Sequence, residues 1–477
     1  MNQELIQYLQ KQIRTVEDRL YKYTHNTQGG KLPQRFLFVK IQKYLNDFLG
    51  KISENRLIII PGLRGVGKTT LMAQICSDLI VNKKNVKTLF LSLDEVKNLF
   101  NVGISEVMQA YEEILGEDLE SLSENVVIFF DEVQSDPTWA KALKILHDKT
   151  SKIFFCCTGS SAVVLQSTPD IARGRAIFER MTPMCFMEFE MVKDKVFPTK
   201  QLKKDIWDAV YFSKDAVEVY DKLSKLQSLV NNYWSKVDRR DMEKFLAYGS
   251  LPFTLQLPNE TIINDSISLL LDGIIKKDLP MLNGFDVKTL SQVKRLLFIL
   301  AENDTTSINK LEEILGIDRL TIASLLDALE KAELIIKISA YGSNMSVAKK
   351  PAKYLFMSSA VRMSFFSISG NENTFSTRKG KLLEDSVGTH LYREFILKND
   401  GALRYDSSQN GADFILQIAN KKQIIIEVGL GKKDRKQILN SMERIDSDYG
   451  IVFSSNPLVI DQDKKIVNVP LDYYFLM

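Results

Sequence analysis

The sequence is poor in the residues that build metal centres and disulfide frameworks. It contains three histidines and four cysteines in 477 residues. The cysteines (Cys76, Cys156, Cys157 and Cys185) lack the spacing of a zinc site, and three lie in or beside apolar segments expected in the core. We therefore expect reduced, buried thiols and no histidine-based metal site of any size.

Long apolar runs are also missing. No stretch approaches the roughly 20 apolar residues that a helix needs to cross a bilayer. The N-terminal segment MNQELIQYLQKQIRTVEDRL predicts a charged amphipathic helix without the apolar core of a signal peptide. The net charge is only +3, so binding to nucleic acid would require a local basic patch. We expect a cytoplasmic protein with no membrane partner.

The strongest functional signal is a glycine-rich motif, since residues 58–75 read IIIPGLRGVGKTTLMAQI. The apolar run Leu57–Ile60 predicts a buried parallel strand, and the apolar spacing of Leu71–Val81 predicts a helix packed on a sheet. Strand, loop and helix follow in the order of a phosphate-binding P-loop, where backbone N–H groups and a helix N-terminus favour an anion. A glycine-rich turn without function is the alternative, and this context argues against it.

The motif predicts a site for ATP and Mg²⁺. Lys68 is expected to reach the β- and γ-phosphates, and the Thr69 hydroxyl to bind the metal. The predicted nucleotide-binding residues are Gly62, Leu63, Arg64, Gly65, Val66, Gly67, Lys68, Thr69 and Thr70.

Two acids end a second apolar strand, in the segment VVIFFDE at residues 126–132. The carboxyl ends of parallel strands meet at one edge of the sheet, so both acids are expected beside the phosphates. We predict that Asp131 holds the Mg²⁺ shell and that Glu132 orients and deprotonates the attacking water. The alternative is that both acids only end a strand at the surface.

A third apolar strand, in IFFCCTGSSA, ends in polar residues that include Ser160. These side chains either position the attacking water or cap the following helix, and the two interpretations are compatible. Phosphoryl transfer also benefits from a cation, often an arginine from a neighbouring subunit. The candidates are Arg173 and Arg175, with Arg180 and Arg64 as further possibilities, and we expect a homo-oligomer.

Changes of pattern divide the chain into five expected segments of a multidomain α/β protein. Predicted strands at Leu57–Ile60, Lys87–Leu93, Val126–Phe130 and Ile153–Cys157 alternate with helices, which is typical of an open parallel sheet. The segments are an N-terminal helical segment (1–50), a P-loop ATPase core (51–190), a helical insertion and lid (191–285), a winged helix (286–370) and a C-terminal α/β domain (371–477).

Taken together, several motifs resemble the archaeal-type P-loop ATPase family of the AAA-like and STAND-related group. They are GLRGVGKTTL, FFDEVQ followed by TWAKALKIL, TGSSA, PMCFMEF, AYGSLP and the winged-helix pattern. The resemblance covers most of the chain except residues 191–245. It implies a prokaryotic protein that binds and hydrolyses ATP, often with a C-terminal domain similar to restriction endonucleases.

The C-terminal segment carries three acids that resemble the pattern of PD-(D/E)XK nucleases. Glu384, Asp413 and Glu427 match its acidic positions, and Asp413 and Glu427 would hold a divalent cation for phosphodiester hydrolysis. Where the pattern has lysine, this chain has Gly429, with Lys432 or Lys433 as possible replacements. The domain is therefore either an active nuclease or a retained fold that serves as a docking module.

The expected recognition helix of the winged helix, Asp318–Leu334, is acidic, whereas a helix that approaches DNA should be basic. Packing against the ATPase core is the favoured role, and the basic cluster at residues 432–436 is the better candidate for DNA or RNA. The sequence predicts a Mg²⁺-dependent ATPase that engages nucleic acid or a partner through its C-terminal domain. The alternative is a nucleotide-gated, oligomerising signalling scaffold with an inactive nuclease-like domain.

Overall fold

The computed structural model describes residues 3–83, 86–160, 171, 174–197, 199–303, 305–343, 350–368, 374–418, 423–430 and 436–477. The chain divides into two compact units, Met1–Thr182 and Pro183–Met477. The predicted end of the ATPase core, residue 190, lies slightly beyond this division. Within the described part of the chain, no helix has both the length and the apolar character required to cross a bilayer.

The first unit is built on a five-stranded parallel sheet with the strand order β2-β3-β4-β1-β5. Its central strands are apolar and buried, because helices cover both faces of such a sheet. The prediction of an open parallel sheet is confirmed. The strands are β1 (Leu57–Gly62), β2 (Lys87–Ser92), β3 (Val126–Asp131), β4 (Ile153–Ser160) and β5 (Ile177–Phe178).

The N-terminal helices belong to this unit. Leu5 and Leu9 of the first helix are buried in the same apolar core as the sheet residues Leu57 and Ile128. The segment before the P-loop is therefore part of the packing that supports it. The helices are α1 (Gln3–Arg14), α2 (Val16–Thr24), α3 (Phe36–Leu49), α4 (Lys68–Asn82), α5 (Leu93–Phe100), α6 (Ile104–Leu115) and α7 (Trp139–Lys149).

The second unit contains a nine-stranded mixed sheet with the order β13-β14-β12-β11-β10-β9-β7-β8-β6. Parallel pairing of Ser339 with Arg404 and of Ala340 with Tyr405 joins the hairpin of the predicted winged helix to the C-terminal strands. The two predicted segments thus share one sheet. The strands are β6 (Thr305–Thr306), β7 (Ile335–Ala340), β8 (Ala352–Phe356), β9 (Gly401–Tyr405), β10 (Phe414–Ile418), β11 (Gln423–Gly429), β12 (Tyr449–Ser454), β13 (Val459–Asp461) and β14 (Ile466–Pro470).

Helices make up the rest of the described second unit, and three α-helices continue into a π-helical turn, at Phe245–Gly249, Ile274–Asp278 and Tyr392–Ile396. The helices are α8 (Phe186–Asp194), α9 (Lys200–Tyr211), α10 (Ala216–Trp234), α11 (Asp241–Lys244), α12 (Glu260–Gly273), α13 (Leu279–Leu282), α14 (Val287–Ser291), α15 (Val293–Glu302), α16 (Ile308–Leu315), α17 (Arg319–Lys331), α18 (Ser359–Ile368), α19 (Thr374–Leu391), α20 (Lys436–Arg444) and α21 (Leu471–Tyr474).

Residues 191–245, which carry no recognisable motif, pack on the C-terminal strands. The Trp234 indole N–H donates to the Asp472 carbonyl at 2.9 Å, and the buried Tyr449 hydroxyl donates to the Val210 carbonyl at the same distance. Trp207 also stacks on Phe395, with ring centroids 5.7 Å apart. These helices therefore form a covering layer of the large sheet.

A buried ion pair ties the helices of the predicted winged helix to the C-terminal domain. Arg362 on α18 bonds both carboxylate oxygens of Asp385 on α19, at 2.6 and 2.9 Å, and donates to the carbonyls of Ala301 and Tyr354. The Asp385 carboxylate also accepts the Phe356 N–H at 3.0 Å. Because every polar group of this pair has a partner, the burial of both charges is tolerated.

Glu190 on α8 is a buried carboxyl whose oxygens have no hydrogen-bond partner among the described residues. It lies beside Asp241, which Lys193 and Lys244 already neutralise at 2.8 Å each. Burial, together with the Asp241 charge, raises the pKa of Glu190 from its usual 4.5 to about 7. Between about pH 4.5 and 7, Glu190 therefore keeps a proton in the folded protein that it has already released in the unfolded chain.

This raised pKa predicts a loss of stability as the pH increases. The folded-state pKa of Glu190 lies above the unfolded value. The contribution of this carboxyl to the free energy of unfolding is therefore complete below about pH 4.5 and is lost as the pH rises through about 7. Replacing Glu190 by Gln should flatten the fall of the thermal unfolding temperature between these pH values. The matched control is Glu120→Gln at an exposed position. Identical pH profiles for the wild type and Glu190→Gln would contradict the prediction.

Candidate functional site

The loop between β1 and α4 requires glycine at three positions. Gly65 and Gly67 have φ angles of +81° and +94°, in the left-handed region that side chains disfavour. A Cβ atom on Gly62 would lie 2.3 Å from the carbonyl oxygen of Met181. The same Met181 donates its N–H to the Pro61 carbonyl at 2.8 Å, so the neighbouring segment is held against this part of the loop.

Lys68 points back into the loop from the first residue of α4. Its ammonium donates to the carbonyls of Gly62 and Leu63, at 2.9 and 3.1 Å, and the residue is only 6% exposed. The cation is thus held inside the curve of the backbone, at the N-terminus of a helix. Positive charge and helix dipole together make this loop suited to an anion.

Asp131 and Thr69, predicted as the two metal ligands, are brought together. The Thr69 hydroxyl donates to one carboxylate oxygen of Asp131 at 2.8 Å, and the Thr158 hydroxyl donates to the other. Burial raises the pKa of Asp131, and the neighbouring charge of Glu132 raises it further. A cation at this carboxylate would offset both effects. Carboxylate and hydroxyl oxygens are hard ligands of the kind that Mg²⁺ prefers.

Glu132 follows Asp131 in a left-handed backbone conformation with φ +55°, which turns it away from the strand direction. Gln134 donates its side-chain amide to the Glu132 carboxylate, and an Arg64 guanidinium nitrogen lies 3.9 Å from it. The side-chain Oε1 of the same Gln134 amide accepts the backbone N–H of Ser160 at 3.3 Å. One amide therefore connects the predicted base to the end of β4.

Gln134 was not identified as a site residue from the sequence, although it stands in the segment FFDEVQ. Arg35 was also missed. This buried arginine donates to the Val66 carbonyl at 2.8 Å and to the Thr182 carbonyl at 2.9 Å, so it braces the P-loop from the N-terminal segment. No local signal marks such a contact, because it joins residues far apart in the chain.

The two arginines selected as candidate cations have different outcomes. Arg173 lies outside the described residues. Arg175 forms an ion pair with Asp148 at 2.7 Å and precedes β5, which starts opposite Ile58 of β1. In a parallel pair this places Arg175 towards the amino-terminal edge of the sheet, away from the P-loop. The structure therefore does not bring Arg175 to the P-loop of its own chain, whereas Arg64 lies beside Glu132.

The C-terminal acids lie near one another in the second unit. The Asp413 N–H donates to the Glu427 carboxylate at 3.3 Å, and the Val428 N–H donates to the Asp413 carboxylate at 2.9 Å. Glu384 and Asp413 both contact Lys353 on β8. Lys353 belongs to the hairpin of the predicted winged helix, and no pattern in the sequence connects it with the acids.

Comparison with known proteins places the P-loop within a recognised domain. Residues 54–190 match the AAA domain, and residues 239–372 match a domain of unknown function, DUF8612. The uncharacterized protein MJ1637 of Methanocaldococcus jannaschii is 33% identical over 456 residues, which cover 95% of this chain and 90% of that protein. The chain belongs to the same protein family as MJ1637. It carries an AAA-like P-loop domain that includes every P-loop residue described above.

More distant similarities extend along much of the chain. The uncharacterized protein MJ1544 of the same organism is 24% identical over 449 residues, covering 91% of this chain and 88% of that protein. The structure of the Aeropyrum pernix ORC1 protein in complex with DNA is similar with 12% identity and a TM-score of 0.33, covering 72% of this chain and 94% of that one.

The P-loop geometry makes a prediction about Gly62. Its replacement by Ala should displace the loop or the Met181 segment, because the added Cβ meets a backbone carbonyl that cannot move cheaply. We expect a destabilisation of about 1–3 kcal/mol in urea unfolding. Gly284→Ala is the control, since a Cβ there meets no atom within 4 Å. Unchanged unfolding of Gly62→Ala would show that this contact is not tight.

Proposed function

We propose that the protein is a Mg²⁺-dependent ATPase whose catalytic site lies at the carboxyl edge of the five-stranded sheet. The observation that carries this proposal is the bond from the Thr69 hydroxyl to Asp131, together with the Lys68 ammonium held inside the P-loop. A cation inside a P-loop, next to a hydroxyl and a carboxylate, is the combination that triphosphate binding with Mg²⁺ needs.

In this proposal each residue has a separate role. Lys68 exchanges its carbonyl partners for oxygens of the β- and γ-phosphates, while the loop N–H groups bind the same anion. Thr69 and Asp131 would hold Mg²⁺, which would supply neutralising charge to the phosphates. Glu132 orients the attacking water and accepts its proton. Gln134 and Ser160 set the position of Glu132 through the link at the end of β4.

Two substitutions separate nucleotide binding from hydrolysis. Lys68→Ala should abolish ATP binding, because the cation within the loop is lost. Glu132→Gln should bind ATP normally but lower kcat by about 10²- to 10⁴-fold, the usual contribution of a general base. Calorimetry and phosphate release measure the two quantities.

The control for Glu132→Gln is Glu120→Gln, a change of the same chemistry at an exposed position of the same unit. Hydrolysis at the wild-type rate in Glu132→Gln would remove the base from the mechanism. Absence of ATP binding in the wild type would remove the proposal as a whole.

The proposal extends to DNA or RNA, or a protein partner, engaged through the C-terminal domain of a homo-oligomer. The predicted recognition helix, observed as α17 (Arg319–Lys331), offers little positive charge to a nucleic acid, because both of its cations are paired with acids. Arg319 lies 2.6 Å from Glu312, and Lys331 lies 2.8 Å from Asp327. Engagement through this helix is therefore disfavoured. In an oligomer, an arginine such as Arg175 would act only on a neighbouring copy.

A second candidate function, a nucleotide-gated scaffold with little turnover, is favoured by the contacts of Glu132. Gln134 and Arg64 both engage the carboxylate that should activate water. If release of Glu132 depends on assembly, the isolated chain hydrolyses ATP slowly.

Size-exclusion chromatography separates the two functions. With a non-hydrolysable ATP analogue the scaffold should assemble into a larger species than with ADP, while phosphate release from ATP, measured in a separate assay, stays negligible. For the ATPase we expect turnover that rises with protein concentration if a neighbouring arginine takes part. Rapid turnover by a monomer would contradict the scaffold.

A further inference from the structure

Lys353 is enclosed by the acids of the C-terminal domain. Its ammonium lies 2.5 Å from a carboxylate oxygen of Glu384, 3.5 Å from one of Asp413 and 3.4 Å from the Asp413 carbonyl. The lysine side chain is only 7% exposed. Because an ammonium has three protons, these three oxygens provide an acceptor for each of them. Lys353, Glu384, Asp413 and Glu427 are called the Lys353 cluster below.

Aromatic rings complete the surroundings of the ammonium. The rings of Phe414 and Tyr405 have their centroids 5.3 and 5.7 Å from the Lys353 nitrogen. The electron-rich face of an aromatic ring attracts an organic cation most strongly where water is excluded. Mg²⁺ instead demands an octahedral set of oxygen ligands and retains several waters. These surroundings suit an ammonium better than a hydrated divalent ion.

The remaining carboxylate oxygens also have structural partners. The Asp413 oxygen that does not face Lys353 accepts the Val428 N–H, and Glu427, only 1% exposed, accepts the Asp413 N–H. With Lys353 in place, the ligand atoms of Glu384, Asp413 and Glu427 are not close enough together to form a three-carboxylate metal group. In the described ranges, a group of that kind is found only at Glu190, Asp194 and Asp241.

We propose that Lys353 is the resident cation of this cluster and takes the place of a divalent metal ion. The cluster then neutralises its acids from within the chain and does not hydrolyse phosphodiesters. Since Lys353 belongs to β8, its bonds to α19 and to the residue before β10 also fasten this strand of the predicted winged helix to the C-terminal domain. This inference does not depend on ATP hydrolysis, so the experiments below omit nucleotide.

The proposal can be tested by removing the Lys353 ammonium and supplying a free metal ion. Lys353→Met leaves the acids uncompensated and should lower the thermal unfolding temperature by about 5 °C or more, the range expected for a broken buried pair. Addition of Mn²⁺ should recover part of that loss in Lys353→Met and change the wild type little. Lys353→Arg, which keeps the charge, is the matched control and should stay closer to the wild type without Mn²⁺.

Direct metal binding includes one comparison, between the wild type and Asp413→Asn, that does not depend on the folding of Lys353→Met. Equilibrium dialysis of Mn²⁺ should give the same occupancy for the wild type and for Asp413→Asn, because neither holds metal in the cluster. In Lys353→Met an additional site should appear, and the double variant with Asp413→Asn should lose it. Occupancy in the wild type that falls in Asp413→Asn would overturn the proposal.

Incubation of linear DNA with Mn²⁺ gives the second decisive outcome. We expect no cleavage by the wild type above that of Asp413→Asn. Cleavage that requires both Asp413 and Lys353 would make this lysine a catalytic residue and overturn the proposal. Phosphate release from ATP, measured separately on the same proteins, distinguishes this failure from a failure of the ATPase assignment.

Discussion

The first unit depends on one buried carboxylate. Asp131 ends a strand that has apolar neighbours on both sides, and it is held by the hydroxyls of Thr69 and Thr158. The burial that fixes its position also raises its pKa, so the ionised form needs a nearby cation. Because β3, β4 and β1 are adjacent in that order, the P-loop with Lys68 lies at the same edge of the sheet. The geometry of the sheet favours an anion at the P-loop, and the burial of Asp131 favours a cation beside it. Both therefore suit an anion that is bound together with a cation.

In the second unit, the charge of neighbouring carboxylates is compensated by a lysine side chain of the same chain. Glu384 on α19, Asp413 before β10 and Glu427 on β11 lie near one another, and Lys353 on β8 contacts the first two. A tethered ammonium is always present at its site, whereas the proposed metal–nucleotide complex would be bound only when its concentration is high enough. The acids of the first unit thus suit a site that responds to a ligand, and those of the second suit a permanent contact.

The sequence predicted the elements that depend on local pattern. The strand, loop and helix around Gly62–Thr69 have the expected order, and the observed strands β1 to β4 contain nearly all of the predicted ones. Hydrophobic period and glycine position are sufficient there, because each is determined within a few residues. The short strand β5 escaped notice, since two half-buried residues form no periodic pattern.

Contacts between distant parts of the chain could not be predicted in this way. Arg35 supports the P-loop, Gln134 holds Glu132, and Lys353 reaches the acids in place of a lysine at position 429. A single sequence shows which residues are charged but not which of them meet after folding. The position of residues 191–245 could not be predicted for the same reason, since their packing partners lie near the C-terminus.

The continuity of the large sheet limits how the second unit can change shape. Pairing of β7 with β9 and the buried pair of Arg362 with Asp385 connect the predicted winged helix to the C-terminal strands. Separating these parts would expose backbone N–H and carbonyl groups of the sheet and leave a buried charge without its partner, and each change is costly. The wing, the covering helices and the C-terminal strands should therefore act as one body. A partner that contacts any of them engages all of them together.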